Sequence, residues 1–246
     1  MATQPTPLGE GWMPVARSTT YELVLDQIRA QLQSGRLHAG DRLPSERDLA
    51  AGLGVSRVAV REAIGVLKAL GVARTATGSG ADAGTFLHPA PADALTRVIE
   101  MHIMLASVST ADVVNARVAL ERESARLAAT HATQSDWDQM RAHLAVMADA
   151  QVSVHGFNDH DTFFHVAIAR ASGNPLVTEM TTALRNAMRG TLLERLSQTP
   201  DFRAVQRQLC AEHEGIFTAL QAGEGAVAAD LVEAHIRVFY QEITAN

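Results

Sequence analysis

Beyond His88-Pro89-Ala90-Pro91 the chain reads as helix almost to its end. Apolar residues recur at helical spacing over about 93–107, 110–131, 135–153, 157–172, 175–196, 201–221 and 223–243. The breaks fall at Ser109, at Thr133-Gln134, at His155-Gly156, at Gly173-Asn174-Pro175, at Thr199-Pro200 and at Gly223. About seven helices with short connections favour antiparallel neighbours in an all-α bundle. The Pro/Ala stretch before them marks a domain boundary. This divides the chain into a flexible tail at 1–17, a small domain at 18–88 and the helical domain at 89–246.

The small domain has a different pattern. Leu25, Ile28 and Leu32 make one helical stripe, and Gly35 stops it. Ser45 is placed to cap a second helix, with Asp48 three residues on and Gly54 after it. Ser56 caps a third helix over about 57–70, in which Val60, Ala63, Ile64 and Leu67 form the core stripe. Arg57, Val58, Ala59 and Arg61 fall on or beside the opposite face. Val72–Thr77 and the stretch 84–87 read as two short strands joined by a glycine-rich turn. The whole chain is mostly α: an N-terminal winged helix-turn-helix followed by the bundle.

Charge separates the two parts. Residues 1–88 hold nine basic and eight acidic residues, a net +1, while the remainder holds twelve and nineteen, a net −7. An acidic chain is a poor non-specific binder of nucleic acid, because phosphate attraction drives such binding. A small module with a locally basic face is still compatible with reading DNA. A single cysteine, Cys210, excludes an internal disulfide or a cysteine-rich zinc site. No run of 18 apolar residues occurs, and the N-terminus lacks a basic and apolar leader, so a cytoplasmic protein without membrane association is expected.

A helix-turn-helix needs a supporting helix, a tight turn and a recognition helix whose first turns enter the major groove. Here residues 45–53 would support, Gly54 would turn and 57–70 would read. The residues placed against DNA are Arg47, Ser56, Arg57, Ala59 and Arg61, with Gly80 at the tip of the wing. The alternative is a three-helix domain with solvated arginines. Leu43-Pro44-Ser45-Glu46-Arg47-Asp48-Leu49-Ala50, Gly54-Val55-Ser56-Arg57, Val60-Arg61-Glu62-Ala63 and Leu70-Gly71 together resemble the winged helix of the GntR family of bacterial repressors. The resemblance covers residues 20–88 and departs in the wing, which is longer and contains Asp82. It implies binding of double-stranded DNA, and the small footprint of one recognition helix implies a homodimer on a palindromic operator.

In the helical part, Asp161 and His165 are i and i+4 and share a helix face. His213 and His235 lie on two further helices. Converging in a bundle core, one carboxylate and three imidazoles would make a metal site. On the residues alone this is a weak signal: the chain has ten histidines, and a histidine facing a core is more often a hydrogen-bonded structural residue than a ligand. On the pattern, Arg117 is a helix arginine paired with Glu121 at i+4 on the surface. Asn174, after a glycine at a helix break, starts the next helix.

Asp112, Arg117, Leu120-Glu121 and Ala125-Arg126-Leu127 resemble the opening helices of the FCD effector domain of the FadR subfamily. Asp161-Thr162-Phe163-Phe164-His165, Ala171-Ser172-Gly173-Asn174-Pro175, Glu212-His213 and His235 resemble its later signatures. The resemblance implies a divalent metal on Asp161, His165, His213 and His235. Zinc is the first choice; nickel or manganese also suit imidazole-rich ligation. It further implies a ligand cavity as the other reading for Arg117 and Asn174: Arg117 clamps the carboxylate of a small organic-acid or sugar-acid effector there, with Glu121 orienting it and Asn174 nearby. The chain is thus expected to be a ligand-responsive transcription regulator, read as a repressor rather than an enzyme. The competing readings are a metal-dependent enzyme acting on a small organic acid, and a regulator whose metal is purely structural.

Overall fold

A computed structural model describes residues 19–78, 83–88 and 91–244. Their elements are ten helices and one two-stranded sheet, and the chain divides into two compact units, up to Pro89 and from Ala90 onward. The tail expected at 1–17, together with Gly80 and Asp82 of the wing, lies outside the described residues.

The first unit contains α1 (Thr20–Gln33), α2 (Glu46–Leu53), α3 (Arg57–Ala69), β1 (Ala73–Ala76) and β2 (Gly84–Leu87). Ser45 caps α2, accepting the Asp48 N–H at 3.2 Å and donating its hydroxyl to the Asp48 carboxylate at 2.7 Å. Gly54 closes α2 with φ of 65°, in the left-handed region that costs glycine little. Ser56 then opens α3 by accepting the Ala59 N–H at 3.2 Å. These two caps and one glycine set the turn between the helices. Val60, Ala63, Ile64 and Leu67 are buried, as their spacing predicts. The stripe expected on α1 is shifted: Val24 and Ile28 are buried, while Leu32 is exposed. Val24 and Leu25 are adjacent apolar residues, and packing against α3 selects the line through Val24. The strands pair antiparallel, Ala73 opposite Leu87 and Ala76 opposite Gly84.

The second unit holds seven helices: α4 (Pro91–Met104), α5 (Thr110–His131), α6 (Gln134–Ala148), α7 (Val154–Ala171), α8 (Pro175–Gln198), α9 (Phe202–Gln221) and α10 (Gly225–Thr244). α5 runs through the middle and packs on α7, α8, α9 and α10. The contact with α10 is close: a Cβ on Gly225 would lie 2.7 Å from the Arg126 carbonyl oxygen, so glycine is needed there. One expected break is displaced. His155 and Gly156 are inside α7, because Ser153 caps it and takes the Gly156 N–H at 3.0 Å. A glycine in a first turn does not end a helix when a good cap precedes it. Among the described residues no helix is long and apolar enough to cross a membrane.

Candidate functional site

On the first unit, Arg57 and Arg61 stand exposed one turn apart at the start of α3. Arg61 donates from Nε and Nη2 to Glu46 Oε2 at 3.1 and 3.0 Å, tying α3 to α2. Arg47 donates to its neighbour Asp48 at 3.3 Å. Such solvated pairs are weak, so phosphate or base oxygens can take the arginines over. Ser56 is an exposed helix cap on the same end. Ala59 corrects the expectation: it is 6% exposed and packs inward, because it precedes Val60 and lies one turn before Ala63 on the buried side. Its side chain is not on the reading face.

In the second unit five helices converge on one buried cluster. α5 brings Arg117 and Glu121, α7 brings Asp161 and His165, α8 brings Arg185, α9 brings His213 and α10 brings His235 and Tyr240. One ligand atom from each of Asp161, His165, His213 and His235 lies within 4.8 Å of all the others. His165 Nε2 faces His213 Nε2 at 3.3 Å, and His213 Nε2 faces Asp161 Oδ1 at 3.1 Å. The far nitrogens of two of these rings are held by carboxylates: His165 Nδ1 by Glu121 Oε2 at 3.0 Å, and His235 Nδ1 by Glu212 Oε2 at 2.7 Å. An ionised carboxylate can only accept, so Nδ1 donates in both rings and Nε2 is the atom turned to the centre.

Electrostatics keep the donors in the forms a cation needs. Burial alone would lift the Glu121 carboxyl, but the charges of Arg185 and Arg117 and the hydrogen bond from His165 hold it well below the usual range. Burial likewise opposes ionisation of Asp161, and the His213 hydrogen bond and the Arg185 charge overcome it. Burial and then the Arg185 charge push His165 well below its ordinary value. Burial and then His235 lower His213. Both shifts favour the neutral imidazole at His165 and His213.

The surface alternative for Arg117 and Glu121 is overturned. Both are under 5% exposed, and Arg117 donates to Glu121 Oε1 at 2.9 Å and to the Tyr240 hydroxyl at 3.2 Å. Arg117, Asp161, His235 and Tyr240 share the wall of one cavity with Asn158 and Phe239. The cavity measures about 20 Å³, room for roughly one water. Asn174 is a second correction. It is exposed and caps α8, its side-chain oxygen accepting the N–H groups of Leu176 and Val177 at 3.1 and 3.3 Å. With that oxygen committed at a helix start, Asn174 is not a cavity residue.

Sequence reasoning missed Arg185 and Tyr240, and named Glu212 only within a family signature, without its role behind His235. A signal for Arg185 was present. Thr181, Arg185, Met188, Leu192 and Leu196 form one buried line on α8, and an arginine inside an apolar stripe needs a buried anion. Glu212 and Tyr240 carried no such mark.

A winged helix with exposed arginines at the start of α3, followed by a helical domain with a buried ligand-type cluster, is the layout of a DNA-binding transcription regulator. The pattern of the bacterial regulatory proteins of the gntR family matches residues 20–82, and that of the FCD domain matches residues 112–238. The chain belongs to the GntR family and carries an FCD domain. It is similar to the HTH-type transcriptional regulator LutR of Bacillus subtilis, 31% identical over 211 residues, which span 83% of this chain and 92% of LutR. It is also 29% identical over 228 residues to the Glc operon transcriptional activator of Escherichia coli K12, covering 88% of this chain and 85% of that one. A solved GntR structure from Streptococcus agalactiae shares the fold with a TM-score of 0.57 and 21% identity, over 89% of this chain and 98% of that one. The families and relatives are regulators, so the chain is a transcription regulator and not an enzyme.

Proposed function

We propose that the FCD domain takes a divalent cation on Asp161, His165, His213 and His235, and that a small carboxylate effector sensed beside it controls DNA binding. The observation that carries the reading is the convergence of four donors around one point, two of them fixed from behind by carboxylates. That backing arrangement is the one metal-bound histidines use. The 4.8 Å span slightly exceeds twice a metal–nitrogen bond of about 2.1 Å, so a single ion would gather the donors with side-chain shifts of a few tenths of an ångström. Zinc fits the donor set best; nickel and manganese are the alternatives. With neutral imidazoles and one aspartate, a divalent ion leaves a local charge of about +1, which favours an anion.

Arg117 would be the anion's second anchor, oriented by Glu121. The small cavity favours a second reading as well, a purely structural ion. An effector larger than water requires side chains such as Phe239 and Tyr240 on α10 to move. The same requirement supplies a means of regulation, because a ligand that binds only a rearranged α10 shifts the domain toward that arrangement. Arg57 and Arg61 would read the major groove and Arg47 a phosphate, in a homodimer on a palindromic operator.

The test is an operator titration of metal-loaded protein with and without small hydroxy- and sugar-acid carboxylates. A tenfold change in DNA affinity, about 1.4 kcal/mol, must be matched by a tenfold change in carboxylate affinity when DNA is bound. Operator affinity unmoved by any carboxylate, together with a silent Arg117→Ala variant, would leave only the structural ion. The direction of control is read from the same titration; one relative is named an activator.

A further inference from the structure

We infer that Arg185 is the positioning residue of the metal centre: it holds one oxygen of Asp161 so that the other is left to the ion, and through Glu121 it ties that centre to Arg117. The inference rests on the metal reading above and adds a residue that is not itself a ligand. Arg185 is 1% exposed in the middle of α8, a helix that supplies none of the four donors. Its Nη1 donates to Asp161 Oδ2 at 3.0 Å. Its Nε and Nη2 donate to Glu121 Oε2 at 3.1 and 2.6 Å.

Each carboxylate has a second partner. The free Asp161 oxygen, Oδ1, turns toward His213 Nε2 at 3.1 Å. Glu121 Oε2 also accepts His165 Nδ1 at 3.0 Å, and Glu121 Oε1 accepts Arg117 Nε at 2.9 Å. One guanidinium therefore sets Asp161 directly, sets His165 through a single carboxylate, and reaches the cavity arginine through the same carboxylate. The planar fork of arginine suits this task, because its donors point in fixed directions at two acceptors. A lysine brings the charge without the fork.

Charge and position make opposite demands. A cation next to a divalent ion repels it, so a residue acting only by charge would tighten metal binding when neutralised. A residue acting by position would loosen it. Arg185→Lys separates the two, because it keeps the charge and loses the fork.

The experiment uses full-length protein stripped of metal, as wild type, Arg185→Lys and Arg185→Gln. Each is titrated with zinc in competition with a chromophoric chelator, and metal-free folding is checked by circular dichroism melts. Wild type is expected to bind one zinc per chain, and each folded variant to bind it roughly 10- to 100-fold more weakly. A folded variant that binds zinc as tightly as wild type, or more tightly, overturns the role of Arg185 while leaving the metal reading intact. Wild type that binds no zinc overturns both. A measurement on wild type alone covers the case where neither variant folds. The Arg185 side-chain N–H should stay protected from hydrogen exchange when zinc is added, and its release on zinc binding would refute a holding role.

Discussion

Glu121→Ala tests the idea that the buried network is a single electrostatic unit. Glu121 is 3% exposed and accepts from Arg117, Arg185 and His165. Arg117 and Arg185 are balanced there by Glu121 and Asp161, two charges of each sign. Removing Glu121 leaves two buried guanidinium groups facing one carboxylate. Breaking a buried pair by deleting one partner costs about 3–5 kcal/mol, because the remaining charge is desolvated without compensation. For a protein of this size each kcal/mol lowers Tm by about 2–4 °C, so the metal-free variant should melt roughly 6–20 °C lower. The assay is a thermal melt in chelator, with chemical denaturation as a check. Glu121→Gln, which keeps an acceptor oxygen but no charge, should recover part of the loss. The exposed pair Glu123 and Arg126 provides the contrast: Glu123→Ala should hardly move the melt. A Glu121→Ala protein that melts within about 1 °C of wild type would refute the reasoning, since no buried guanidinium is so cheaply left alone.

Two further predictions concern acid and DNA. His165 and His213 titrate below their ordinary 6.5, so the unfolded chain takes up protons first. Stability of the metal-free protein should therefore be full above about pH 6.5, decline as pH falls through that value, and decline further as Asp161 and Glu121 begin to protonate in the unfolded chain below about 4.5. Melts that are flat from pH 7.5 to 5 would contradict the burial of neutral imidazoles. Arg57→Ala and Arg61→Ala should each cost about 1–3 kcal/mol of operator affinity if the arginine grips a guanine. Glu46→Gln should tighten DNA binding at low salt by freeing Arg61. Gel-shift titrations across a salt series read all three, and unchanged affinities would remove α3 as the reading helix.

Much of the architecture was legible because local signals agreed with the packing. The caps at Ser45 and Ser56, the stop at Gly54 and the stripe through Val60, Ala63, Ile64 and Leu67 are short-range features that tertiary contacts left unchanged. Failures came where two local choices were nearly equal. Val24 and Leu25 offered adjacent registers, and Gly156 competed with the Ser153 cap. The four donors were legible in type and spacing, but their convergence depends on α7, α9 and α10 meeting, which no local pattern encodes. Arg185 was passed over for a physical reason. An arginine is ordinarily a surface residue, and only its two carboxylate partners, 64 and 24 residues away in sequence, make its burial tolerable. Asn174 and Ala59 were assigned outward or inward from neighbouring motifs, and a backbone hydrogen bond and one turn of helix decided each the other way.

A helical domain built around one ion is tested by elemental analysis of the protein purified without chelators, beside His213→Ala prepared in the same way. His213 is fully buried and within 3.3 Å of both His165 Nε2 and Asp161 Oδ1. Wild-type chains should carry close to one divalent ion each, and the ion content of the variant should fall away on dialysis because a ligand is gone. Wild-type chains that remain essentially metal-free even after incubation with excess zinc, or a His213→Ala protein that holds its ion as firmly as wild type, would contradict a domain built around that ion.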